Sequence, residues 1–224
     1  MTVERPKIPV DRRFKSDRPH TFGSASPEKG RGVRKWSLQS RGSSSLDTIA
    51  TEVRSCSLCP LADGRTLAVP GEGPSKARIV LVGEAPGREE DLSGRPFVGR
   101  SGRLLDSVLE SIGISRSEIF VTNVVKCRPP RNRVPTTRES ETCRDAHLRR
   151  QMIAIGPRVV VLLGRTAART VLDADSLSEI RGRVLRRGRT WYLSTYHPAA
   201  ILRNPRLKAT WTKDLRKLKT SLAG

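Results

Sequence analysis

Aromatic residues make up only 4% of this 224-residue chain, so a ring placed in a loop rather than in a core pattern stands out. Long apolar runs are missing as well. No stretch approaches the roughly 20 residues that a membrane-spanning helix needs, which predicts a soluble, cytoplasmic protein with no membrane partner. The opening residues lack the apolar run of a secretory signal, and Glu4, Asp11 and Asp17 fit an organellar transit peptide poorly. Acidic residues are outnumbered: 22 Asp and Glu face 43 Lys and Arg, a formal net charge of +21. Such an excess concentrates polyanions near the surface, which makes nucleic acid the leading partner. Two nucleotide signatures are absent. No Lys-Ser/Thr follows a phosphate-loop run of glycines, and the Gly-x-Gly-x-x-Gly spacing does not occur, so nucleotide hydrolysis and hydride transfer both lose ground. No internal repeat is visible.

Cysteine is used sparingly. Cys56, Cys59, Cys127 and Cys143 are the whole set, a close pair followed at long range by two more. Sixty-seven residues separate Cys59 from Cys127, so the fold must carry the later cysteines back to the first pair. Two disulfides are disfavoured in a reducing compartment. A zinc site and an iron-sulfur cluster both remain, because spacing alone does not separate them.

Residues 1–45 are rich in Arg, Lys, Pro, Gly and Ser without helical or strand period, and read as a disordered basic arm. The folded domain is expected over residues 46–224. A short helix over residues 46–54 leads into the first cysteines. Apolar runs at 78–83, 119–125 and 159–164 suit parallel strands buried on both faces, and a fourth strand is expected at 191–196. Helical spacing over Leu104, Leu105, Val108, Leu109 and Ile112 stops at Gly113, and further helices are expected at 138–155 and 166–172. Residues 181–187 should pair with the last strand as a hairpin around Gly188. The fold class is α/β, a doubly wound sheet with right-handed crossovers.

Ligands of open α/β sheets bind beyond the carboxyl ends of the strands, and three of those ends are unusual. The first reads Gly83-Glu84-Ala85-Pro86-Gly87, followed by Glu89, Glu90 and Asp91 and then Gly94-Arg95-Pro96-Phe97-Val98-Gly99. The second reads Thr122-Asn123-Val124-Val125-Lys126-Cys127-Arg128-Pro129-Pro130. The last reads His197-Pro198-Ala199-Ala200-Ile201-Leu202-Arg203. These loops, in this order and interleaved with the four cysteines, resemble the iron-sulfur uracil-DNA glycosylases, family four of the uracil-DNA glycosylase superfamily. The resemblance runs from about Leu46 to the C-terminus and does not cover the basic arm.

The resemblance implies a three-layer fold with a central, mainly parallel four-stranded sheet flanked by helices. It implies one four-iron, four-sulfur (4Fe-4S) cluster on Cys56, Cys59, Cys127 and Cys143, with zinc as the alternative, and a monomer acting on uracil-containing DNA, single- or double-stranded. The implied reaction flips uracil out of the strand and hydrolyses its N-glycosidic bond, leaving an abasic site. Asn123 matches the base-reading asparagine, whose amide offers a donor and an acceptor to uracil. Phe97 matches the stacking aromatic, and His197 is the expected donor to uracil O2, where negative charge develops. Glu84 is expected to position the first loop and a water, with Glu90 contributing nearby; the first-motif aspartate of other superfamily classes is absent here. Ala85, Gly87 and Asn132 complete the substrate pocket. Pro198, Ile201, Leu202 and Arg203 are expected on DNA, with Ile201 or Leu202 filling the gap left by the flipped base and Arg203 on phosphate. Arg128, Arg131 and Arg133 form a second basic set. Two other readings compete. One is a protein that retains or crosslinks uracil-DNA, a behaviour associated with an inserted basic loop carrying a histidine, whereas Arg131-Asn132-Arg133-Val134-Pro135 has none. The other is a noncatalytic metal-containing nucleic-acid-binding module.

Overall fold

The computed structural model describes residues 45–222, with side chains described through Leu218. The basic arm expected before Leu46 lies, apart from Ser45, outside the described residues. The chain opens on α1 (Leu46–Ser55), whose first turn is closed by the Ser45 hydroxyl accepting from the Thr48 amide at 3.1 Å. Ile49 and Val53, one turn apart, are its buried stripe. After the first cysteines come β1 (Ile79–Gly83), α2 (Arg88–Ser93), α3 (Arg100–Ser111) and β2 (Ile119–Asn123). The second half holds α4 (Thr137–Cys143), α5 (Arg149–Ile155), β3 (Val159–Leu163), α6 (Arg165–Leu172) and α7 (Leu177–Ile180). It closes with β4 (Val184–Arg187), β5 (Thr190–Thr195), α8 (Pro198–Arg203) and α9 (Lys208–Leu222).

The strands form one sheet in the order β2-β1-β3-β5-β4. Four are mutually parallel, and β4 closes the edge as the antiparallel arm of the hairpin. The sheet therefore has five strands, the four expected parallel ones plus the hairpin partner. Every residue of β1, β2 and β3 is buried, as a two-faced parallel sheet requires. Alternation divides them. Val80, Val82, Val160 and Leu162 pack with α1, α5 and α6 on one face; Leu81, Val161 and Leu163 pack with α3 and α9 on the other. The result is three layers.

Where the sequence suggests one helix over 138–155, a π-helical turn at Arg144–Leu148 joins α4 to α5. The start of α4 is fixed by a reciprocal cap: the Glu139 amide donates to Thr136 Oγ1 at 3.2 Å, and the Thr136 amide donates to Glu139 Oε2 at 2.7 Å. Among the described residues no helix is long and apolar enough to cross a membrane.

Candidate active site and cysteine cavity

β1 lies between β2 and β3, so the strand order reverses there and the loops after these strands diverge to leave a crevice. Three of the expected residues meet at it. Asn123 is the last residue of β2, paired in register with Gly83 at the end of β1. A side chain at Gly83 would put its Cβ 2.4 Å from Asn123 Oδ1 and 2.4 Å from Phe97 Cζ, so only glycine allows the amide and the ring to close over the strand end. The Phe97 and His197 rings lie 5.8 Å apart, tilted by 35°. Asn123, Phe97 and His197 therefore cluster at the strand ends, the candidate slot.

Two polar atoms in this slot are buried without a partner: Asn123 Oδ1 and His197 Nε2. Leaving such groups dry costs on the order of 1 to 3 kcal/mol each, which a ligand that satisfies them recovers. His197 caps α8, its Nδ1 accepting from the Ala199 amide at 3.2 Å. With Nδ1 an acceptor, the proton of a neutral ring sits on Nε2, facing the slot. Burial, helped by the charge of Arg203, pulls the His197 pKa down to about 4. The ring is neutral near pH 7.

Phe97 holds a left-handed backbone conformation, φ 54°, which is strained for a bulky residue and clusters at functional sites. Its loop is pinned from several sides. Arg116 donates to the Pro96 carbonyl at 2.7 Å and to Asp106 at 2.9 Å, and Arg95 makes a forked pair with Glu72 at 2.8 Å. Glu90 supplies the inner tie. Its Oε2 accepts from the Gly87 amide at 3.0 Å and its Oε1 from the Gly99 amide at 2.8 Å. Both carboxylate oxygens are committed, and the residue is buried. Glu90, expected to contribute near the reaction, here staples the first loop to the Phe97 loop, and the Gly87 amide is used by that staple.

Glu84 is half-buried and accepts a hydrogen bond from the Thr166 hydroxyl in the first turn of α6. Ala85 packs against the core on the α1 side. Val124 and Val125 donate their amides to the carbonyls of Gly83 and Glu84 at 2.9 and 3.2 Å, lacing the first two loops together. Asn132 lies exposed in a left-handed turn, its amide oxygen accepting from Arg128 Nε at 2.8 Å. Arg133 is held in a forked pair with Glu139, at 2.7 and 2.8 Å, and this guanidinium keeps the Glu139 carboxyl down at about 2. Arg133 itself is exposed, so this pair lies at the surface.

In α8, Pro198 and Ile201 are buried, and Ile201 joins the core between α3 and α9. Ile201 is therefore corrected as a residue that inserts into DNA; Leu202 at 38% exposure and exposed Arg203 are the ones α8 presents outward.

The four cysteines, all free thiols, line one small cavity together with Lys126 and His147. Arg65 ties its rim, donating to the Cys56 carbonyl at 2.7 Å and to Cys127 Sγ at 3.0 Å. Burial raises the thiols of Cys59, Cys127 and Cys143, the last to about 12. Among the described residues, no three Cys, His, Asp or Glu side chains group around a single ion position. His147, one turn beyond Cys143, is 4% exposed with neither ring nitrogen partnered. The orphaned N–H of this neutral ring and the softness of four sulfur ligands fit a sulfide-bearing cluster. His147, Thr166 and the staple role of Glu90 escape a reading of the sequence. The Cys143–His147 spacing of four, which stacks two residues on one helix face, was the available signal for the first.

The uracil DNA glycosylase superfamily model matches residues 70–219. A type-4 uracil-DNA glycosylase of Archaeoglobus fulgidus is 47% identical over 184 residues, covering 78% of this chain and 92% of that protein. One from Thermotoga maritima is 42% identical over 180 residues, covering 78% and 93%. A type-5 uracil-DNA glycosylase of Pyrobaculum aerophilum is 32% identical over 151 residues, covering 59% and 66%. A strand-end slot on a three-layer sheet, four cysteines at one cavity and these matches agree: the chain belongs to the uracil DNA glycosylase superfamily, where it is similar to the type-4 members.

Proposed function

We propose that this protein removes uracil from DNA by hydrolysing the N-glycosidic bond and leaves an abasic site. The observation that carries this reading is the slot shared by Asn123, Phe97 and His197, in which Asn123 Oδ1 and His197 Nε2 are both unpartnered. A flipped uracil supplies what each lacks. Its N3–H donates to Asn123 Oδ1 while its O4 accepts from the amide nitrogen, a pattern that cytosine mismatches at both positions. Phe97 offers a face for stacking.

Bond cleavage puts negative charge on the departing base and positive charge on the sugar. The Nε2–H of neutral His197 donates to uracil O2, an interaction that strengthens as charge builds there. Glu84, oriented by the Thr166 hydroxyl, faces the cationic sugar and holds the attacking water, which keeps one proton as the new C1′ hydroxyl and releases the other to solvent, while the departing uracil anion takes up one proton. Leu202 and Arg203 present an apolar wedge and a phosphate contact to the strand.

Cys56, Cys59, Cys127 and Cys143 hold a 4Fe-4S cluster in the shared cavity. Four thiols around one cavity supply the all-sulfur ligand set of such a cluster, with zinc as the alternative. When bound, the cluster supplies structural cross-linking, since base hydrolysis needs no electron. Uracil-containing DNA is the partner.

The test is excision on uracil-containing single strands and duplexes, with abasic sites cleaved by alkali. Strand scission is expected with holoprotein and is lost by two orders of magnitude or more in Asn123→Ala. Intact strands with the wild-type holoprotein reject the reading. Iron and acid-labile sulfide near four each per chain are expected; zinc in their place rejects the cluster.

A further inference from the structure

One side chain touches both the base-reading strand end and the cysteine cavity. Lys126 is 1% exposed, and its ammonium donates to Thr122 Oγ1 at 2.6 Å, to Gln151 Oε1 at 2.7 Å and to the Asn123 carbonyl at 2.8 Å. These acceptors are themselves anchored, since Thr122 Oγ1 and Gln151 Nε2 both donate to the Pro70 carbonyl, at 3.0 and 2.7 Å. All three are neutral oxygens. A buried ammonium is expensive unless hydrogen-bonded and balanced by opposite charge, and among the described residues no carboxylate pairs with Lys126. The groups near it that become anionic when they ligate metal are Cys127 and Cys143, across the cavity that Lys126 also lines.

We propose that Lys126 is a positioning residue that couples the metal site to base recognition: its ammonium balances the negative charge of the cysteine-held cluster and, by clamping the Asn123 carbonyl, keeps the Asn123 amide in register with uracil. The inference rests on the uracil-excision and cluster readings above. It gives the cluster a consequence for recognition although no electron moves.

The test compares wild-type holoenzyme with Lys126→Met and with Lys126→Met/Gln151→Leu; the double variant removes the donor together with one of its three acceptors, so that fewer buried groups are left dry. Each is assayed for iron content, for the cluster midpoint potential by spectroelectrochemical titration, for inhibition by free uracil, and for KM and kcat on uracil-containing DNA. Removal of a nearby cation shifts the potential negative. Loosening of Asn123 weakens inhibition by free uracil about tenfold and raises KM by a similar factor, with a smaller change in kcat. Both shifts are expected together. Iron loss from both variants with folding retained is the extreme form of that result. A potential that does not move, uracil inhibition that does not move, or unfolding of both variants overturns the proposal, the last because it makes Lys126 a core group and nothing more. Wild-type holoenzyme inactive on uracil-containing DNA sinks the excision reading itself, whereas active wild type with unmoved variants sinks only the coupling.

Discussion

His197 concentrates much of the proposed chemistry in one ring. Its pKa near 4 means that the neutral Nε2–H form is present throughout the physiological range, and protonation below about pH 4 breaks the Ala199 contact at Nδ1. The kcat/KM profile on a uracil-containing strand is therefore expected to show no acid limb near 6.5, the ordinary histidine value. A limb with a midpoint there means that the ring is exposed and charged. Phe97 allows a separate test of backbone strain. Truncation costs both Phe97→Ala and Phe97→Gly the buried ring, yet only glycine accepts φ 54° freely. A left-handed penalty of about 1 to 2 kcal/mol, less the extra chain entropy of glycine, about 0.5 to 1 kcal/mol, leaves the glycine variant the more stable. Denaturant melts should rank glycine above alanine; the reverse order shows an unstrained loop.

At the scale of elements, α3 seats the Phe97 loop. Gly102 packs so closely beneath it that an added Cβ would fall 1.7 Å from the Phe97 carbonyl oxygen. Gly102→Ala, normally favourable within a helix, must here push helix and loop apart. Activity is expected to fall about a hundredfold or more, since misplacement by an ångström is costly in a preorganised site; near-wild-type turnover shows that the loop adapts. The strands and most helices were legible in the sequence because all-apolar runs between turn signals have few other interpretations. The slot residues were legible through their loop motifs. Side-chain commitments were not. A carboxylate such as Glu90 reads equally from the sequence as a reactive group or a tie, and only the structure reveals its two amide partners. Ile201, expected with Leu202 as an alternative on DNA from the resemblance of its motif, is instead buried with the residues of α3 and α9. Lys126 reads as one cation among many in so basic a chain until its burial is seen.

For the molecule as a whole, two ionisable groups act in the same direction on acid stability. The Glu139 carboxyl, held down at about 2 by Arg133, contributes stability that is full above its ordinary value of 4.5 and is lost as pH falls toward 2. His197, held neutral by burial, binds its proton more readily when unfolded, so stability also declines as pH drops from 6.5 toward 4. Melting temperatures are expected to fall from pH 6.5 toward 4 through His197 and further from 4.5 toward 2 through Glu139; a flat profile over either window contradicts the corresponding assignment. Charge sets the other global property. Residues 1–44 hold eleven Lys and Arg against four Asp and Glu, a net +7 of the total +21. Removing them should weaken DNA binding and flatten its dependence on salt, with a slope that falls by about 0.9 for each phosphate that the arm had neutralised. An unchanged slope means that the arm does not engage the DNA backbone.

Asn123, Lys126 and Cys127 fall within five consecutive positions, and the intervening amides of Val124 and Val125 are laced to the first loop. Insertion or deletion of even one residue here would rotate the reading amide, the ammonium or the sulfur away from its partner. Length variation among descendants of such a chain should therefore accumulate elsewhere, leaving this pentapeptide a fixed ruler between metal and substrate.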